Sequence, residues 1–133
     1  MNVTRFAGYA AIFNHLDKGG DIIRPGAFGD LPHGQTIPLL WQHSPEHRIG
    51  TITYAREDAR GLRVIGTVSG ATGAGRSASK MLSSRIRTGL SFGYRVREST
   101  GRNPRELLDL DVAEISLVTS PMQQLATVTA LQT

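Results

Sequence analysis

Alternation of apolar and polar positions dominates the chain, and it predicts a mainly β protein with one helix. Val3 to Phe13 combines aromatic and branched residues with one glycine, the pattern of a strand with a bulge or a close backbone approach. Asn14 to Asp21 is rich in turn formers, and Ile22 to Leu31 reads as a short extended piece followed by a brief helical turn. After the loop Pro32 to Gln35, the stretch Thr36 to His43 puts Ile37, Leu39, Trp41 and His43 on one face of a strand, so a histidine ends an apolar stripe. Ser44 to Arg48 is predicted as a turn, Ile49 to Asp58 as a strand, Ala59 to Gly61 as a tight reversal, and Leu62 to Gly70 as the hairpin partner.

The period changes between Gly70 and Gly89. Ala78, Met81, Leu82, Arg85 and Ile86 recur at helical spacing there, and Gly89 suits a C-terminal cap. Leu90 to Glu98 returns to strict alternation, with Leu90, Phe92, Tyr94 and Val96 on one face and Ser91, Gly93, Arg95 and Arg97 on the other. Ser99 to Glu106 is a loop, and Leu107 to Pro121 is the longest predicted strand, limited by Pro121. Its even-numbered face carries Leu108, Leu110, Val112, Glu114, Ser116 and Val118, so a carboxylate interrupts a mostly apolar face. Leu125 to Thr133 is expected to add a short edge strand or to fray.

Composition narrows the chemistry. A chain of 133 residues, 39% of them hydrophobic, supports one core, and a single domain over 1–133 is expected. With no cysteine, disulfides, thiolate metal ligands and a cysteine nucleophile are excluded. No apolar run reaches a membrane-spanning length and no signal-peptide core follows Met1 to Arg5, so a soluble intracellular protein without membrane contact is expected. The net charge of +4 raises the question of nucleic acid, but thirteen arginines are dispersed among acidic residues and stacking aromatics are few. A solvated basic surface is the better reading.

Polar groups at positions where the pattern expects apolar ones stand out, because burying them unpaired is unfavourable by several kcal/mol. His43 and Glu114 are the clearest cases. Singly, each is most simply a paired structural residue. With Ser91 they form a set that chemistry favours: an imidazole to take the serine proton, and a carboxylate to hold the imidazole in one tautomer. Ser91 lies within Gly89-Leu90-Ser91-Phe92-Gly93, a match to the G-x-S-x-G nucleophile elbow, but here a helix precedes the serine and a strand follows, the reverse of what that motif needs. The flanking glycines are expected instead to leave room for a substrate beside Ser91. His43 and His47 have the spacing of a helical metal pair, yet Pro45 lies between them, and no metal or cofactor is expected. Gly70, Gly73 and Gly75 lead into the helix without the Gly-Lys-Ser/Thr of a phosphate loop. Asp21, Asp109 and Asp111 read as turn or solvent-facing carboxylates, with Asp111 in reserve for the third catalytic place.

Six strings then fall in one order: Gly8-Tyr9-Ala10 with Ile12-Phe13; Gly20-Asp21-Ile22 with Pro25-Gly26-Ala27-Phe28; Leu39-Leu40-Trp41-Gln42-His43; Ile49-Gly50; Gly89 to Tyr94; and Glu114-Ile115-Ser116-Leu117-Val118. Together they resemble the tailed-phage prohead proteases, a family similar in turn to the herpesvirus assemblins. The resemblance implies an antiparallel β-barrel with peripheral helices, one of them the main helix above. It implies a serine endopeptidase with Ser91 as nucleophile, His43 as general base and Glu114 as the orienting carboxylate, where the assemblins use a second histidine. Acyl transfer also requires an oxyanion group, for which a backbone amide near Ser91 or the Arg95 guanidinium, on the same strand face, is expected. The implied substrate is the scaffold segment of the major capsid protein, and often the enzyme itself, inside the immature capsid in the bacterial host cytoplasm. Self-association is left open, and the competing reading is a scaffold-binding module on the same barrel without catalysis.

Overall fold

The computed structural model describes residues 3–29, 31, 36–84 and 88–132. Along the chain these form β1 (Val3–Ile12), β2 (Asp21–Ile23), β3 (Ile37–Trp41), β4 (Ser44–Glu57), β5 (Gly61–Ser69), α1 (Gly73–Ser83), β6 (Gly89–Thr100), β7 (Arg105–Val118) and β8 (Val128–Gln132). The mainly β class and the position of the helix follow the sequence pattern. The expected loop Pro32 to Gln35 and the helical-face positions Arg85 and Ile86 lie outside the described residues.

The β4–β5 hairpin turns where Arg60 and Gly61 predict it. The Asp58 carboxylate accepts the Arg60 and Gly61 amides at 2.8 and 3.2 Å, and its other oxygen accepts the Tyr9 hydroxyl at 2.5 Å, tying the turn to β1. Helix α1 starts at the Thr72 side chain, which accepts the Gly75 amide at 3.0 Å, and buries Ala78 and Leu82. It lies against β4 and β5. The helix is shorter than predicted: Ser84 caps it, donating through its amide and its hydroxyl to Met81 O, and Gly89 opens β6 instead of closing α1.

All strands join one eight-stranded sheet. β1 pairs with β5 and β8, β4 with β3 and β5, and β6 with β7, all antiparallel. The expected antiparallel barrel needs two corrections. β2 and β3 run parallel to β7 on the edge opposite β6, so the sheet is mixed. Nor does it close as a barrel: β6 meets the chain before β8 at the single bridge Gly89↔Thr127, flanked by the hydrogen bonds Leu90 N–H to Ala126 O (2.9 Å) and Val128 N–H to Thr88 O (3.0 Å). β8 then leaves β6 to pair with β1, which keeps the seam short.

Two local departures shape the site. The predicted turn Ser44 to Arg48 is strand; Pro45 to His47 bulge out between the pairs Trp41↔Ser44 and Leu40↔Arg48, so the missing proline N–H leaves no ladder bond unmade. The turn falls instead at Gln42 and His43, both at positive φ (52° and 60°). In β7 the pairing shifts between Tyr94↔Val112 and Gly93↔Glu114, leaving Ala113 as an extra residue. The core face thereby passes from even numbers (Leu110) to odd ones (Ile115 and Leu117), so Glu114 does not share the face of Leu110 as the simple alternation predicts.

Candidate active site

β6 holds Ser91 opposite Ser116 and Gly93 opposite Glu114. Leu90 and Phe92, which alternate with these positions, anchor the strand in the core, where Phe92 packs edge-on against Phe28 with ring centres 5.4 Å apart. Ser91 is itself 8% exposed. Across β7, β3 delivers the turn that carries His43. The turn is held at Gln42, whose N–H donates to Leu117 O at 3.0 Å and whose side chain exchanges hydrogen bonds with Thr119 at 3.2 and 3.4 Å. A left-handed pair of non-glycine residues is an uncommon, strained choice for a tight turn, and these bonds to Leu117 and Thr119 offset it.

His43 Nδ1 lies 2.5 Å from Glu114 Oε1, and the Ser116 hydroxyl donates to Oε2 at 2.7 Å. An ionised carboxylate can only accept, so a neutral imidazole paired with it carries its proton on Nδ1 and its lone pair on Nε2. The Glu114 side chain is 14% exposed and that of His43 is 44% exposed, so a shielded carboxylate meets an exposed imidazole.

Ser91 and His43 line one pocket of about 100 Å³ together with Asp17, Tyr94, Met122 and Gln123. Among the described residues no hydrogen bond joins the Ser91 hydroxyl to the imidazole; the direct contact is His43 to Glu114. Such contacts are commonly long in uninhibited enzymes and tighten with substrate. The pocket wall is fixed by the Gln123 amide, which pairs with both backbone groups of Ile12 at 2.8 Å, and by Lys18 N–H bonded to Met122 O at 3.0 Å. Burial, followed by the nearby charges of Asp21 and Asp17, raises the Tyr94 phenol above its usual pKa. Arg105 holds Asp21 through two nitrogens at 3.0 and 2.8 Å.

A caudovirus prohead serine protease family profile matches residues 1–133. The chain belongs to that family. It is 33% identical to the prohead protease of Enterobacteria phage HK97 over 137 residues, covering 96% of this chain and 60% of that protein. It is 29% identical to the capsid polyprotein of Pseudomonas phage PAJU2 over 126 residues, covering 87% of this chain and 18% of that protein. The chain thus spans less than two thirds of either phage protein. In fold it is similar to the Kaposi's sarcoma-associated herpesvirus protease crystallised with a hexapeptide phosphonate inhibitor, with a TM-score of 0.71 at 14% identity over 99% of this chain and 66% of that one. The varicella-zoster virus protease gives a TM-score of 0.59 at 15% identity over 98% of this chain and 64% of that one. At these identities the likeness is one of fold, and it matches the herpesvirus-protease type expected from the sequence.

Other residues weighed for this prohead protease-family chain lie apart. Asp111 is exposed and pairs with Arg97 at 3.5 Å. Arg95 is exposed, four residues along β6 from Ser91 (about 13 Å at strand rise), and outside the pocket lining. The Leu90 amide is already bonded to Ala126 O and is not free for an oxyanion. His47 sits exposed in the β4 bulge, and among the described residues no group of three metal-ligating side chains assembles.

The two glycines of Gly89-x-Ser91-x-Gly93 serve packing rather than a nucleophile elbow. A Cβ on Gly89 would stand 2.7 Å from Pro121 Cδ, and one on Gly93 would stand 2.6 Å from Glu114 Oε1. Gly93 therefore makes room for the carboxylate, not for a substrate beside Ser91 as expected. Ser116 and the Gln42–Thr119 clasp were not identified from sequence. The available signal was a serine two residues from Glu114 on the same strand face.

Proposed function

We propose that this chain is a serine endopeptidase of capsid maturation, with Ser91 as nucleophile, His43 as general base and Glu114 as the carboxylate that orients it. The observation that carries this reading is the 2.5 Å contact of His43 Nδ1 with Glu114, which leaves Nε2 to accept a proton on a ring that lines the same pocket as Ser91. In the first step Ser91 Oγ adds to a peptide carbonyl while Nε2 takes its proton; the imidazolium then gives that proton to the leaving amine, and the C–N bond breaks. Water, deprotonated by the same nitrogen, releases the acyl group and restores Ser91. The substrate is the scaffold segment of the major capsid protein, cut inside the prohead within the bacterial host cytoplasm, and the enzyme cuts itself by the same chemistry. Family membership and the herpesvirus-protease fold support this assignment.

The test is incubation of the protein with the major capsid protein of its own particle, followed by mass measurement. A shortened capsid protein with a single new terminus is expected. Binding without shortening would favour the non-catalytic scaffold-binding module instead.

Gly93→Ala separates activity from stability. Its new methyl group would displace Glu114 Oε1, the oxygen that His43 uses. That oxygen ends a flexible side chain, so stability should change by less than about 1 kcal/mol, with alanine's lower backbone entropy loss in its favour. Cleavage should fall about 10- to 100-fold, because the imidazole loses its orientation. Rates and melting curves measured on one preparation check both halves.

A further inference from the structure

β3 runs beside β7 as far as the pair Trp41↔Leu117, and Gln42 N–H extends that ladder by one bond to Leu117 O. Gln42 and His43 both take positive φ, and at His43 the N–H leaves the ladder. A donor in that position needs another partner. The Ser116 hydroxyl supplies it, accepting the His43 amide at 3.1 Å while donating its own proton to Glu114 Oε2 at 2.7 Å. Ser116 is 0% exposed, so water does not compete for either bond.

Both bond directions are forced. An amide N–H can only donate and an ionised carboxylate can only accept, so the hydroxyl has one arrangement that satisfies both. If Glu114 were protonated at Oε2, the bond would reverse and the hydroxyl proton would lose its acceptor. Ser116 therefore fixes Glu114 Oε2 relative to the His43 turn and leaves Oε1 to meet His43 Nδ1. The Gln42–Thr119 clasp also holds the turn, but Ser116 alone touches both the turn backbone and the carboxylate among the described residues.

We propose that Ser116 is a positioning residue that couples the His43 turn to the Glu114 carboxylate, an inference that rests on the serine-protease reading above. Two readouts test it on Ser116→Ala and Ser116→Thr: the pH dependence of Ser91 modification by an alkyl fluorophosphonate, and the His43 ring N–H proton in NMR spectra. In Ser116→Ala the modification rate should fall about 10- to 100-fold. Its pH profile should shift and the deshielded Nδ1–H resonance should weaken or move. Ser116→Thr, which retains the hydroxyl, should recover both. An unchanged rate and resonance in Ser116→Ala would overturn the proposal, and so would a slower rate with the His43 resonance unmoved. If the parent protein is not modified at Ser91 at all, the protease reading fails separately. The resonance then decides alone: its loss in Ser116→Ala supports the coupling, and its persistence refutes it.

Discussion

Ser91→Ala is expected to slow capsid-protein cleavage by on the order of 10,000-fold or more, the scale on which serine hydrolases lose activity without their nucleophile. The fold should be indifferent to the change. Ser91 is nearly buried on a strand anchored by Leu90 and Phe92, and among the described residues its hydroxyl bonds to no other side chain. Removing an unpaired hydroxyl from such a place leaves no stranded partner, so the melting temperature should hold or rise slightly. Parallel cleavage and melting measurements check this. Activity within tenfold of the parent would remove Ser91 from the mechanism.

Glu114→Gln should cost about 1,000- to 10,000-fold for a different reason, that of the wrong tautomer. The glutamine oxygen can still accept the Ser116 proton, but its amide nitrogen then faces His43 Nδ1 and donates to it. The imidazole must carry its proton on Nε2, where it cannot take one from Ser91. Flipping the amide restores an acceptor to His43 but points the amide N–H₂ at Ser116, whose proton loses its partner. Both arrangements conflict with the site, so kcat should fall with little change in KM. A loss below tenfold would show that Glu114 does not set the tautomer.

The strand that carries Ser91 was legible because β6 keeps unbroken alternation on either side of it, with its apolar residues in the core. The β4–β5 hairpin was legible for a similar reason, since Arg60-Gly61 is a local turn signal next to Asp58. His43 was placed on a strand face but lies in a turn, because Gln42-His43 has no glycine or asparagine to announce positive φ and the nearby Pro45 attracts the turn assignment instead. Glu114 was picked out as an interruption of an apolar face that the bulge at Ala113 removes; alanine carries no bulge signature. Glu114 meets His43 for a different geometric reason, the bulge rather than the alternation. Least legible was Ser116, whose partner is a backbone amide 73 residues away, brought near by a parallel β3–β7 pairing that no local pattern encodes.

The central claim is that His43 activates Ser91, and it is tested most directly by treating the protein with an alkyl fluorophosphonate and mapping the adduct by mass spectrometry. One adduct per chain, on Ser91, formed rapidly by the parent and at least about 1,000-fold more slowly by His43→Ala, is the expected result. No adduct on the folded protein, an adduct on another residue, or equal rates in the two proteins would contradict it.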